Sequence, residues 1–365
     1  MDFRKGVRLQ LLHAKRSELI ARFASLLIDL FRRSADAPDL IVIASPFGSI
    51  AADMELLDEL AQHAASIPCV MLAPASAGFF GVKHAWQVPT LPALVSMFDQ
   101  WQFAKWKSLR DQSYARLLGV VFGRGLLRQP HGRSETKDLE YNFKEDVTLE
   151  SSFLWAEGVF AAALAIASSV GETGWPSSMA GYVRGQVDGF TTAMGGKDGK
   201  KQYGPSDTQM IQSKIEELAA AGLNAVVGIK DQDAVHVWNG ISAARPPVVD
   251  MNGMLEISLP YQLFAARLST LLFDLKPQLT GKSEDDVTRI VTENVRMASA
   301  RRGPVGHGHQ CPNPTGRRRS VGNRTGRHNN PAAEYRPGRH SGGLGFQNLK
   351  IIGMGCVWIL EVANR

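Results

Sequence analysis

Apolar positions along the N-terminal part of the chain switch between two rhythms. Residues 7–12 are a short apolar-rich run, after which Leu19, Phe23, Leu26, Leu27 and Leu30 recur at spacings of three and four. The first pattern predicts a strand and the second a helix with one buried face, capped at its start by Ser17. Residues 40–44 are continuously apolar, 51–64 return to the helical spacing, and 69–73 are continuously apolar again. Continuous apolar runs suit strands covered on both faces, so two strand–helix–strand units in succession predict a parallel sheet with helices packed against it.

Beyond Pro89 this alternation gives way to a helix over 91–100 and a Trp- and Lys-rich stretch over 101–110. Trp101 and Lys105, and Phe103 and Lys107, stand one helical turn apart. That interleaving fits a helix buried through its aromatics with lysine stems along the edge, or an assembly contact, and both readings stay open. Residues 153–170 are rich in Ala, Ser and Gly and include Glu157, which predicts a buried helix rather than a membrane span. Further on, Ser206 or Asp207 is placed to cap a helix carrying Met210, Ile211, Ile215 and Leu218 on one side, ended by Gly222. Two strands follow over 225–229 and 235–238 around an acidic turn at 231–233, and Ser283 with Asp286 opens a last helix through Ile290, Val291 and Val295.

Composition changes this picture only at the C-terminal end. The 365 residues carry a formal charge of +6, with 44% hydrophobic and 21% charged residues, ordinary for a soluble globular chain. Nine arginines and one glutamate fall within 301–340, so that stretch holds +8; the remainder keeps 32 of 41 basic and 34 of 35 acidic residues, or −2. Arg, Gly, Pro, His and Asn dominate from about residue 300, and such a composition cannot fill a packed core. Three scattered cysteines, Cys69, Cys311 and Cys356, exclude a disulfide framework and fit a reducing, cytoplasmic setting. No signal peptide or membrane span is expected, and hence no membrane insertion.

Candidate chemistry is sparse. No G-x-S-x-G or G-x-G-x-x-G occurs, and the turn after the second strand, Ser45-Pro46-Phe47-Gly48-Ser49, has a single glycine. Gly195-Gly196-Lys197-Asp198-Gly199-Lys200-Lys201 fails the phosphate-loop spacing and reads as a flexible basic surface loop. His13, His63, His84, His131 and His236 stand singly; Glu216 with Glu217 and Asp285 with Asp286 read as helix-surface carboxylates. His307, His309 and Cys311 suit no common closed zinc pattern. The expectation is no enzyme, no cofactor and no metal.

The block from 101 to 176 is crowded with aromatic and small apolar residues and holds no nucleophile, base and oxyanion donor together. Its landmarks are a W-(K/R)-S-(L/F)-R element at Trp106, Lys107, Ser108, Leu109 and Arg110, then Ala115, Arg116 and Gly119. Asn142, Phe143, Glu145 and Asp146 follow, then Leu154 and Trp155 before the Ala-rich helix. In this order they resemble the large contractile-sheath subunit of the bacterial type VI secretion system, the TssC/VipB (EvpB) family. Asp53, Leu56, Leu57 and Leu60, the Gly78-Phe79-Phe80-Gly81 element, and Leu259-Pro260-Tyr261 with Phe264, Arg267 and Leu268 resemble further parts of that family.

The resemblance covers about residues 7–298. It implies an α/β (mixed α+β), contractile-sheath-like fold: an α/β portion over 1–98, a mixed α/β core portion over 99–299, and a tail over 300–365 that is disordered or read out of frame. It also implies a structural subunit that pairs with a small, TssB/VipA-like sheath subunit and polymerises around an Hcp-like inner tube on a baseplate. In that family Trp106, Arg110, Arg116, Gly119, Asn142, Phe143, Glu145, Asp146, Leu154, Trp155, Pro260, Tyr261 and Arg267 match packing or assembly positions. Family chains are longer at the N-terminus, so an opening segment is expected to be missing, which puts subunit interlocking and recognition by a ClpV-like recycling ATPase in doubt. Two other readings are an enzyme or nucleotide binder, with a crevice near 45–49 or 74–78, and a nucleic-acid binder acting through the basic tail; no nucleic acid is expected on the sheath reading.

Overall fold

The computed structural model describes residues 8–13, 18–32, 38–131, 145–176, 178–229, 232–300 and 356–361. The N-terminal rhythm becomes β1 (Arg8–His13), α1 (Leu19–Arg32), β2 (Leu40–Ile43), α2 (Ala51–Ala64) and β3 (Val70–Ala75). Then come α3 (Leu94–Phe98), α4 (Ala104–Arg110), β4 (Leu118–Phe122), β5 (Arg124–Leu126), β6 (Trp155–Glu157), α5 (Gly158–Thr173) and β7 (Gln186–Asp188). The rest is β8 (Ala193–Gly195), β9 (Lys201–Tyr203), α6 (Gln212–Ala220), β10 (Leu223–Gly228), β11 (Ala234–Val237), α7 (Met251–Glu256), α8 (Leu259–Leu279), α9 (Glu284–Ala300) and β12 (Cys356–Glu361).

One eight-stranded sheet, ordered β1-β12-β2-β3-β4-β10-β11-β7, organises the molecule. The β2, β3, β4 and β10 strands run parallel, and β12, β11 and β7 pair antiparallel at the flanks. Strand alternation assigns each side chain to a face. Ile41, Ile43, Met71, Ala73, Leu118, Val120, Phe122 and Leu223 point into a core closed by α1, α2, α4 and α6. Leu40, Val42, Val70, Leu72, Val121, Val226 and Val235 point into a second core closed by α5 and α8. Because β3 and β4 are neighbours, one sheet crosses the 98/99 boundary drawn from the sequence.

Several expected elements change. The stretch over 101–110 is a 3-10 turn (Trp101–Phe103) running into α4, and the helix expected over 91–100 is only α3. Neither Ser206 nor Asp207 caps a helix: α6 begins at Gln212 behind Ile211, and both residues lie buried alongside β5. The basic stretch from Gly195 to Lys201 is the turn of a β8–β9 hairpin, with residues 197–200 exposed. Of the expected tail, 301–355 and 362–365 lie outside the described residues, as do His307, His309 and Cys311. The segment Cys356–Glu361 forms β12 between β1 and β2, because its CVWILE sequence is apolar, unlike the Arg-, Gly- and Pro-rich stretch over 301–340. Among the described residues no helix is long and apolar enough to cross a membrane.

Candidate functional site

At the carboxyl ends of β2, β3 and β4, where ligands bind in parallel sheets, lies a crevice of about 220 Å³. Pro46, Ala75 to Gly78, Lys83, His84, Gly123, Arg124, Glu150, Glu157 and Asp207 line it. Gly123, at φ +106°, turns the chain from β4 into β5; a Cβ there would stand 2.2 Å from the Val226 carbonyl oxygen, so only glycine fits. The turn delivers Arg124 beside Asp207: Nε donates to Oδ2 at 2.6 Å, the Arg124 backbone N–H donates to Oδ1 at 2.8 Å, and Nη2 lies 3.4 Å from Glu150 Oε1.

Burial sets the electrostatics. It pushes the Glu157 carboxyl up to about 7, with Asp207 adding to the rise and Arg124 opposing it. Glu150 and Asp207 are raised for the same first reason, again against Arg124. Three carboxylates around one guanidinium leave no net positive charge to hold a phosphate, and the Ser76 hydroxyl is committed to the Phe47 carbonyl at 3.0 Å. Among the described residues no group of His, Cys, Asp and Glu has the arrangement to hold a metal ion.

The residues singled out in the sequence fall mostly elsewhere, and several of them make buried or hydrogen-bonded contacts within the body. Trp106 is buried, and its Nε1 donates to the Ala221 carbonyl at 3.2 Å. Arg110 ties the Ala243 and Ala220 carbonyls at 2.9 and 3.0 Å, and burial, then Arg245, lowers it to about 10. Gly119 lets β4 pass under Leu72 and Leu259, which a Cβ would meet at 2.6 and 2.8 Å. Leu109 and Ala115 are buried, and Lys107 reaches the Asp99 carbonyl. Glu145 takes a two-pronged ion pair from Arg128 at 2.7 and 2.8 Å, which with the His131 N–H draws it down to about 2. Asp146 accepts from the Thr148 N–H at 2.8 Å, and Trp155 donates to the Glu150 carbonyl at 2.9 Å.

Pro260 sits at the start of α8, and Arg267 donates to the Gly174 carbonyl at 3.0 Å while lying over the Trp175 ring. Arg116, Leu154 and Tyr261 are exposed. Asn142 and Phe143 lie outside the described residues. His236 is buried, with its ring nitrogens 3.0 and 3.1 Å from the Tyr182 carbonyl and the Gln232 side chain. Sequence reasoning missed the Arg124–Asp207–Glu150–Glu157 cluster. Its one legible signal was Gly123-Arg124 directly after a continuous apolar strand; Asp207 resembled a cap.

Known proteins place the chain. It is 28% identical over 253 residues to the type VI secretion system sheath protein TssC1 of Pseudomonas aeruginosa, covering 65% of this chain and 50% of that protein. The chain thus spans about half the length of that curated relative. The anti-feeding prophage helical sheath in its contracted state is similar at a TM-score of 0.41 and 15% identity, over 79% of this chain and 58% of the other. The six-fold symmetrised baseplate of the same prophage gives 0.39 and 13%, over 76% and 55%. Residues 37–244 match the family model for the EvpB/VC_A0108 tail sheath N-terminal domain, and the chain belongs to this VipB family.

Proposed function

We propose that this protein is a structural subunit of a type VI secretion contractile sheath. The observation that carries the reading is the family match over 37–244, the span that builds β2, β3, β4, β10 and β11 with α2, α4, α5 and α6 packed on them. The buried motif residues Trp106 and Gly119 and the half-buried Arg110 and Arg267 hold the body together. The exposed ones, Arg116, Leu154 and Tyr261, are available to a neighbouring subunit. Sheath action stores energy in subunit packing and releases it by repacking, so the protein works without catalysis. The partners on this reading are a small TssB/VipA-like sheath subunit, an Hcp-like inner tube and the baseplate, in the cytoplasm.

Co-expression with the small sheath subunit tests the proposal. Co-purification and tubular or cogwheel-sectioned particles in negative stain are the expected result. A chain that folds, with a cooperative unfolding transition, yet stays monomeric beside the partner would overturn it.

A further inference from the structure

The crevice is also a joint. Gly123 is where the large sheet hands over to the small β5–β6 sheet, and the handover is stitched on both sides. Leu126 N–H donates to the Pro205 carbonyl at 2.8 Å and Asp207 N–H to the Arg124 carbonyl at 3.0 Å, while Gly158 N–H, opening α5, donates to the Gly123 carbonyl at 2.8 Å. Arg124, Asp207, Glu150 and Glu157 therefore come from β5, the segment before α6, the turn before β6 and the end of β6 itself. Lys83 and His84 line the same space, and Lys201 of β9 acts on Glu150 from outside. The Arg124 guanidinium lies 5.5 Å over the Trp155 ring, so β5 and β6 are tied through the same side chain.

If every carboxyl were ionised, three negative charges would face the half-buried Arg124 guanidinium and Lys83 at a place with about 220 Å³ of open space. We propose that this joint is a proton-gated hinge, in which a proton on Glu157 keeps the β5–β6 layer docked to the large sheet and its loss loosens that layer. Glu157 has the matching chemistry, since burial first, and then Asp207, lifts it from 4.5 to about 7. A carboxyl with a raised value in the docked state favours docking most below its ordinary value. That advantage falls as pH rises from about 4.5 to about 7 and changes little beyond. Glu150 and Asp207, also raised by burial, act with the same sign.

Hydrogen exchange on the full chain, corrected for the intrinsic pH dependence of exchange, tests the hinge. Between pH 5.5 and 7.5 the protection of the β5 and β6 amides should fall about twentyfold, the ratio for one carboxyl titrating at 4.5 when open and about 7 when docked, while β3 amides hold. Glu157→Gln should remove most of that fall. An equal fall in the variant, no fall in the unaltered chain, or a fall shared equally by β3 would each overturn the proposal. The last two comparisons need no variant, so they decide the matter even where Glu157→Gln fails to fold.

Discussion

The two faces of the large sheet are packed by opposite means. On the α1, α2, α4 and α6 side, Phe79, Phe80, Phe98, Phe103, Trp106 and Phe122 interlock, with Phe79 and Trp106 edge-to-face at 5.2 Å and Phe80 and Phe122 at 4.6 Å. On the other side α5 lies against the strands through Ala161, Ala162, Ala163 and Ala165, so its backbone approaches closely. Large interlocking rings bury much area per residue and leave large holes when removed. Small side chains contribute little area each but leave no room for growth. The aromatic face should therefore be sensitive to truncation and the alanine face to enlargement.

Trp106→Ala offers the largest expected effect. Losing a fully buried indole and its bond to Ala221 should cost about 3–5 kcal/mol, read as a drop in the denaturant midpoint at unchanged m-value. A cost under about 1 kcal/mol would mean the rings repack freely and the contrast fails. On the opposite face, Ala162→Leu should cost about 1–3 kcal/mol by overpacking a fully buried site on α5. A neutral or stabilising result would show slack between α5 and the sheet.

The smallest expected effect sharpens the comparison from outside. Trp101, 88% exposed although it neighbours the aromatic face, should change stability by less than about 0.5 kcal/mol when made Ala, as judged by thermal unfolding. A large loss would place its ring within the packed face. The Trp and Lys interleaving of 101–110 thus resolves into separate cases: Phe103 and Trp106 are core, Trp101 is surface, and Lys105 pairs with Glu55.

Much of the fold was legible because period is a local property. Residues 40–44, 51–64 and 69–73 read as strand, helix and strand, and β2, α2 and β3 stand there; Leu259-Pro260-Tyr261, matched to the family by resemblance, opens α8. The candidate site was not legible in this way. Arg124 and Asp207 are 83 positions apart, and the capping chemistry that suggested itself for Asp207 was the local alternative to a long-range ion pair.

By itself the sequence determined the strongly periodic segments, among them β2, α2 and β3, which residues there are apolar enough to be core, and which family the motifs resemble, since all three rest on patterns between near neighbours or on their order. Only the tertiary structure decided that β12 enters between β1 and β2, that the chain on either side of residue 98 shares one sheet, and that three carboxylates meet one arginine behind Gly123. Those facts depend on pairing and burial between distant segments. Burial, which no local pattern measures, is what disfavours the ionised form of Glu157 and so raises it.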